Sequence, residues 1–317
     1  MGMGIQLVRV GTPSNIISWG ILSGTQVEAL DGPANSLNDF LKSGGLSARK
    51  VTGTFSLDRL SFLSPITVDA QIICQGKNYL THLLETGIKP ENKEFNLIFS
   101  KASSSIAPPS GKLHRPSGVE LLDYELELGV VLGAELHCPT KVTRGNLHQF
   151  IAGIVMANDI SARDVQVPER QWFKGKSFRG FCPLGPVLYL LEQHEIAQLY
   201  DLDLRLFVNG KLRQNANTKQ LMYSPEATLS ELSEIIDLRP GDLLLTGTPG
   251  GVAMQVKKTV WRDFSAKFSG EKAKMKRFLA EQRANPRYLN IGDRIESTIS
   301  SPDGRIDLGR QELIVSE

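Results

Sequence analysis

Read for the spacing of its apolar positions, the chain is built mainly from short strands. From Ile5 to about Val68 the segments "IQLVRVG" and "SWGILSG" alternate or run apolar between turn residues, and "SLNDFLKS" predicts a helix ending at the Gly44-Gly45 pair. A proline interrupts "LSPITVDAQ" before a new apolar run, "IICQG", begins, so we expect a small N-terminal domain over 1–69 and a larger domain over 70–317. In the larger part, "LIFSK", "YELELGVVLG", "IAGIVMAND", "GPVLYLL", "LDLRLFVNG", "DLLLTGTP" and "RIESTISS" read as strands bounded by Gly, Pro, Asn and Asp. Helices are few, the clearest being "TLSELSEII" with Thr228 or Ser230 as its cap. Strands that do not alternate regularly with helices predict an α+β, mainly β fold.

Composition changes this picture little, except in one place. The 317 residues are 41% apolar and 22% charged, enough for a packed core without disulfide or metal staples. A net charge of +2 gives no global field for nucleic acid or a membrane surface, and neither is expected as a partner. Three scattered cysteines, Cys74, Cys138 and Cys182, read as reduced thiols of a cytoplasmic protein. No export signal is visible, and no run of about 18 apolar residues predicts a membrane span. The exception lies between Val256 and Leu289, where ten Lys or Arg residues stand against three acidic ones, so the rest of the chain is net acidic. Met275, Phe278, Leu279 and Gln282 fall at helical spacing there and Pro286 supplies a stop, predicting an amphipathic helix with the roles of solvated face, lid or subunit contact all open.

Candidate chemistry concentrates in four segments. Alternation in "LDYELELGVV" puts Asp123, Glu125 and Glu127 on one strand face and Tyr124, Leu126, Leu128 and Val130 on the other. Such a face is either simply wet or a set of oxygen ligands for a hard cation. "FIAGIVMANDISARD" reads as a buried strand delivering Asp159 to its mouth, as a turn former, a helix cap or a third ligand; Asp164 is a weaker candidate. In "GKNYLTHLLETG", His82 and Glu85 are three apart, an exposed pair or a base with its orienting acid, and Gly76 and Gly87 flank them as the hinges of a conceivable lid. Lys174, Lys176, Arg163 and Gln166 offer groups that would hold a carboxylate. "TGTPGGV" suggests tightly turned backbone near a ligand, but it lacks the ending of a phosphate loop, which argues against a nucleotide site.

In their order along the chain, "GKNYLTHLLETG", "LIFSKASSSI", "DYELELGVVLG", "VMANDISARDVQ", "KGKSFRGFCPLGP", "FVNGKLRQ" and "LTGTPGGV" resemble the fumarylacetoacetate hydrolase family, strongly over about 70–255 and again at "GDRIESTI". The resemblance implies a catalytic domain with a layered β-sheet roll, usually homodimeric, behind a small N-terminal domain. It implies a Mg²⁺ or Mn²⁺ site, with Ca²⁺ as a third option, on Glu125, Glu127 and Asp159. His82 and Glu85 would activate water from a closing lid, with Lys176 beside them. Arg163 and Gln166, with Lys101 and Thr248 as weaker carry-overs, would contact a small 2-oxo acid. The activity so implied is C–C hydrolysis of an acylpyruvate or related diketo acid, with oxaloacetate decarboxylation or 2-hydroxymuconate-type isomerisation as the alternative and a non-catalytic binding protein as a remote one. Two departures stand out: Arg179 where many relatives have Asp, and the basic segment at about 256–289, which reads as an insertion.

Overall fold

A computed structural model describes residues 3–85, 93–255 and 270–317. At the N-terminal end, strands β1 (Ile5–Gly11), β2 (Ile17–Ser23), β3 (Gln26–Leu30) and β4 (Val51–Ser56) pair antiparallel in sequence order, and β5 (Ser61–Leu63) also pairs with β1. Helix α1 (Leu37–Lys42) begins where the Ser36 hydroxyl accepts the Asp39 N–H, and it is closed by Ser43 ahead of Gly44 at φ 98°, as "SLNDFLKS" predicts. It presses Leu37 and Phe40 onto the sheet beside Trp19.

The rest of the chain runs through β6 (Ile72–Gly76), α2 (Leu80–Glu85), β7 (Leu97–Lys101), β8 (Ile106–Ala107), β9 (Ser110–His114), β10 (Leu122–Asp123), β11 (Leu126–Leu132), β12 (Ile151–Asn158) and β13 (Ser161–Ala162). It continues through α3 (Arg163–Glu169), α4 (Trp172–Lys176), β14 (Cys182–Leu190), β15 (Asp203–Val208), β16 (Lys211–Asn217), α5 (Pro225–Ser233), β17 (Leu243–Leu245), α6 (Glu271–Arg283), β18 (Arg294–Ser300) and β19 (Asp307–Ser316). The main sheet has the order β4-β3-β2-β1-β14-β12-β11-β17-β6-β7, so the N-terminal strands extend the central sheet through the β1–β14 pair. A second sheet, β16-β15-β18-β19-β9, covers one of its faces.

Both faces of the central strands are buried, which is why these segments read as apolar runs rather than strict alternation. Leu126, Leu128, Val130 and Ile154 pack toward Leu204, Leu206, Ile295 and Leu313 of the second sheet. Val131, Val155, Leu184 and Leu188 pack toward Leu7, Trp19, Phe40 and Ile72. Each such side chain stabilises the fold by roughly 1.5–3 kcal/mol. The mainly β expectation therefore holds, and no described helix is long and apolar enough to cross a membrane.

Three local expectations are corrected. Helix α5 starts at Pro225 after Ser224, one turn earlier than expected, and the Thr228 and Ser230 hydroxyls bond back to the carbonyls of Ser224 and Glu226 inside it. "LDYELELGVV" is not one strand: Asp123 ends β10, which pairs with β13, and β11 begins at Leu126. The face of β11 opposite Leu126, Leu128 and Val130 is not wet, since Glu127 and Val131 are both buried. Helix α6 appears where the spacing of Met275, Phe278, Leu279 and Gln282 predicts it, while Gly87 and residues 256–269 of the expected insertion lie outside the described residues.

Candidate metal centre and its cavity

Antiparallel register assembles the acidic cluster. Leu126 lies opposite Asn158 and Glu127 opposite Ala157, so the start of β11 sits beside the end of β12. There the Asp159 N–H donates to the Glu125 carbonyl at 2.7 Å, and the Asn158 side chain accepts the Glu125 N–H at 2.9 Å. Ligand oxygens of Glu125, Glu127 and Asp159 consequently lie within 4.8 Å of one another, all buried. Three converging carboxylates are the oxygen donor set that a hard divalent cation takes.

Three cations surround them. Lys176, at the end of α4, places Nζ 2.5 Å from both Glu125 Oε2 and Asp159 Oδ2. Lys101, at the end of β7, lies 2.5 Å from Asp159 Oδ1 and donates to the Phe181 carbonyl. Arg163 donates through Nε to Asp123 at 2.8 Å, through Nη1 to Gln166 at 2.8 Å and through Nη2 to Glu125 at 2.5 Å. Gly175 lets α4 approach α3 this closely, because a Cβ there would stand 2.7 Å from the Gln166 Cβ.

Glu127 is the exception among the buried acids. Among the described residues its hydrogen-bond donor is the Gly247 N–H at 2.9 Å, and no ammonium or guanidinium pairs with it. Burial, with Asp159 and Glu125 beside it, holds its carboxyl well above the ordinary carboxylate range. Burial also acts to raise Glu125, but there Arg163 and Lys176 win and hold the carboxyl below that range. A buried acid without a cation, facing two further buried carboxyl groups, is what a divalent ion would relieve, so the residues fit such a group.

A small cavity of about 40 Å³ opens onto this centre, lined by Glu125, Glu127, Lys176, Arg163, Gln166 and Thr248 together with His82, Lys77, Gln75, Met254 and the aromatic pair Phe99 and Trp172. Lys101 and Asp159 lie behind the lining, and Arg179 is exposed outside it. His82 is buried, and its Nδ1 has no hydrogen-bond partner among the described residues. Glu85 Oε2 stands 3.8 Å from that nitrogen, beyond hydrogen-bond range, because the carboxylate accepts the Gly251 N–H on both oxygens at 2.9 and 3.0 Å. The two residues share a helix face as expected, with the acid turned to the loop.

The model for the fumarylacetoacetate hydrolase C-terminal region matches residues 71–314. The chain belongs to the fumarylacetoacetate hydrolase family. Among curated proteins it is similar to a mitochondrial oxaloacetate tautomerase of Xenopus laevis, 39% identical over 208 residues covering 65% of this chain and 63% of that protein. The rat protein of the same description is 38% identical over 205 residues, covering 64% and 63%. The chain thus matches somewhat under two thirds of the length of these relatives. Among solved structures, a fumarylacetoacetate hydrolase from Exiguobacterium antarcticum superposes with TM-score 0.73 at 26% identity, covering 98% of this chain and 99% of that one. A 5-carboxymethyl-2-hydroxymuconate delta-isomerase from Mycobacterium smegmatis gives 0.70 at 25%, covering 98% and 99%.

Within this family fold, several supports of the site escape sequence reasoning. Asp123 is no part of the ligand cluster: it accepts Arg163 Nε and the backbone N–H groups of Tyr124, Ala253 and Met254. Gln214 accepts the Leu126 N–H and donates to the Thr248 hydroxyl, which in turn donates to the Leu126 carbonyl. The "TGTPGGV" loop is thereby laced to the start of β11. The far side of this loop takes the C-terminal end of α6: Gln282 donates to Gln255, Asn285 to Ala253 and Arg287 to the Gly251 carbonyl. Lys77 carries a non-glycine φ of 54°, a left-handed conformation that costs about 1–2 kcal/mol.

Proposed function

We propose that this chain is a divalent-metal-dependent enzyme of small 2-oxo acids, and that its first reaction is proton transfer at the carbon beside the keto group, interconverting keto and enol forms of an oxaloacetate-type substrate. The observation that carries this reading is the cavity: about 40 Å³ beside three convergent carboxylates, room for about three waters and suited to a compact acid. The tautomerase descriptions of the relatives at 38–39% identity support the same choice.

Glu125, Glu127 and Asp159 would hold Mg²⁺ or Mn²⁺. When bound, the ion polarises the keto oxygen and so acidifies the adjacent C–H. Lys176, Gln166 and Thr248 line the wall where the substrate's first carboxylate would be oriented. Arg163 is held by Asp123, Gln166 and Glu125 and fixes Glu125 in place. His82, buried with an unpartnered ring nitrogen, accepts the proton from C3 and returns it to the keto oxygen, so a C–H bond is exchanged for an O–H bond without net change in composition. Phe99 and Trp172 exclude water from that exchange.

A second reading, C–C hydrolysis of an acylpyruvate, is favoured by Glu85 lying on the same helix face as His82, 3.8 Å away, where a modest rotation would orient the ring toward a water. The test is the rate of oxaloacetate keto–enol exchange, followed by ultraviolet absorbance with Mg²⁺ or Mn²⁺, beside acylpyruvate cleavage. Tautomerisation should require the metal and fall by about 10²–10⁴-fold in His82→Ala. A His82→Ala protein at the parent rate, or acylpyruvate cleavage without any acceleration of tautomerisation, would reject the first reading.

A further inference from the structure

We infer that Lys77 selects substrates carrying a second carboxylate, by receiving the end of a 2-oxo diacid that lies away from the acidic cluster. The inference rests on the reading of the site as a 2-oxo acid centre and names the class of acid it takes. Lys101, Lys176 and Arg163 are each bonded to a buried acid, whereas among the described residues no carboxylate pairs with Lys77, although it is half-buried in the cavity wall with His82 and Glu125. A half-buried ammonium has already lost part of its hydration, so an anion reaching it from the cavity pairs at a smaller desolvation cost than at an open surface.

The backbone is shaped to put it there. Gly76 is pressed against Trp172, where a Cβ would stand 2.7 Å from the indole ring, and Lys77 then takes the left-handed conformation that glycine or asparagine would ordinarily occupy. A long cationic side chain at such a position is a reason to look for a function. Lys93 adds a second positive charge behind it, donating through Nζ to the Lys77 carbonyl at 2.7 Å and lying 4.8 Å from the centroid of the Tyr223 ring. Burial, together with the charge of Lys77, lowers the Lys93 ammonium to about 8. The cavity wall therefore combines the cation-fringed acidic cluster with a lysine that no described carboxylate compensates.

L-Malate and L-lactate, both stable 2-hydroxy acids, differ chiefly in the second carboxylate and serve as probes. Calorimetry on the Mn²⁺-loaded protein should give malate at least about tenfold tighter binding than lactate. Lys77→Met should remove that preference by weakening malate alone, Lys77→Arg should keep it, and the KM for oxaloacetate should rise in Lys77→Met by more than kcat falls. Retained preference in Lys77→Met, equal weakening of malate and lactate, or a wild-type protein that does not prefer malate would each overturn the inference. A wild-type protein that prefers malate but does not tautomerise oxaloacetate would reject the proposed reaction while leaving Lys77 its role.

Discussion

Replacing Asp123 separates the ligands of the centre from the groups that hold them. Asp123 is fully buried: Oδ1 accepts the Tyr124 and Ala253 N–H groups at 2.9 and 2.8 Å, and Oδ2 accepts Arg163 Nε at 2.8 Å and the Met254 N–H at 3.1 Å. Alanine at this position removes one partner of a buried ion pair, a loss of about 3–5 kcal/mol. Each abandoned backbone donor that water cannot reach adds about 1–3 kcal/mol, but Arg163 keeps Glu125 and Gln166 and can relax, so the losses overlap and about 4 kcal/mol is expected. Asparagine should cost nearly as much, because one face of its carboxamide turns an N–H toward donors. The assay is urea unfolding at pH 7 with an unchanged m-value, paired with Mn²⁺ titration. Mn²⁺ stoichiometry should stay at about one per chain, with affinity falling less than about tenfold through Arg163. A loss below 1 kcal/mol would refute the structural role, and a folded variant that no longer bound Mn²⁺ would make Asp123 a ligand after all.

Two further perturbations probe the cluster and the loop beside it. Because burial raises the Glu127 carboxyl, the metal-free native state keeps a proton that the unfolded chain releases above about pH 4.3; that stability is full below this value and lost as pH rises through the folded one. Metal requires the carboxylate, so the rise in Tm caused by Mn²⁺ should grow as pH is raised and Glu127→Gln should abolish that dependence; a pH-independent shift in the parent protein would count against it. Gly251 has φ 106° and a Cβ built on it would stand 2.0 Å from the Arg213 carbonyl, so Gly251→Ala should lower stability by about 3 kcal/mol in the same urea assay, whereas an unchanged midpoint would mean the loop is not packed as described.

How much of this was legible depended on distance along the chain. Period-two alternation sorts Leu126, Leu128 and Val130 from Glu127 correctly, because both sides of β11 are fixed by the pleat. It fails at Asp123, because the pairing of β10 with β13 interrupts the strand, and that pairing is set by residues about 40 positions away. The α5 cap was misplaced for a local reason: Pro225 starts the helix, and a run of serine and threonine offers several apparent caps. Lys101 is reached only through the family resemblance, and Lys176 is marked locally only as a cation among turn residues, since their acid partners lie 58 and 17 residues away. Gln214 and Lys77 carried no signal that periodicity could expose: one acts through a loop 34 residues on, and the other is defined by its backbone conformation and lack of a partner.

The charges of the site give a reason why the cluster, the cation and a two-ended acid belong together. With Glu127 ionised, four buried carboxylates face three buried cations, leaving one negative charge in excess. Low-dielectric surroundings make that excess unfavourable, which is why the Glu127 carboxyl is driven toward its protonated form. A divalent ion reverses the sign, leaving one positive charge, and a single substrate carboxylate cancels it. Lys77 then contributes a further positive charge at the cavity wall that the cluster does not compensate. A monoacid leaves it unpaired, whereas a diacid neutralises the cluster through its first carboxylate and Lys77 through its second. Discrimination between the two thus follows from desolvated charge rather than from shape alone, and it should weaken only modestly with added salt because the groups involved are at least partly withdrawn from solvent.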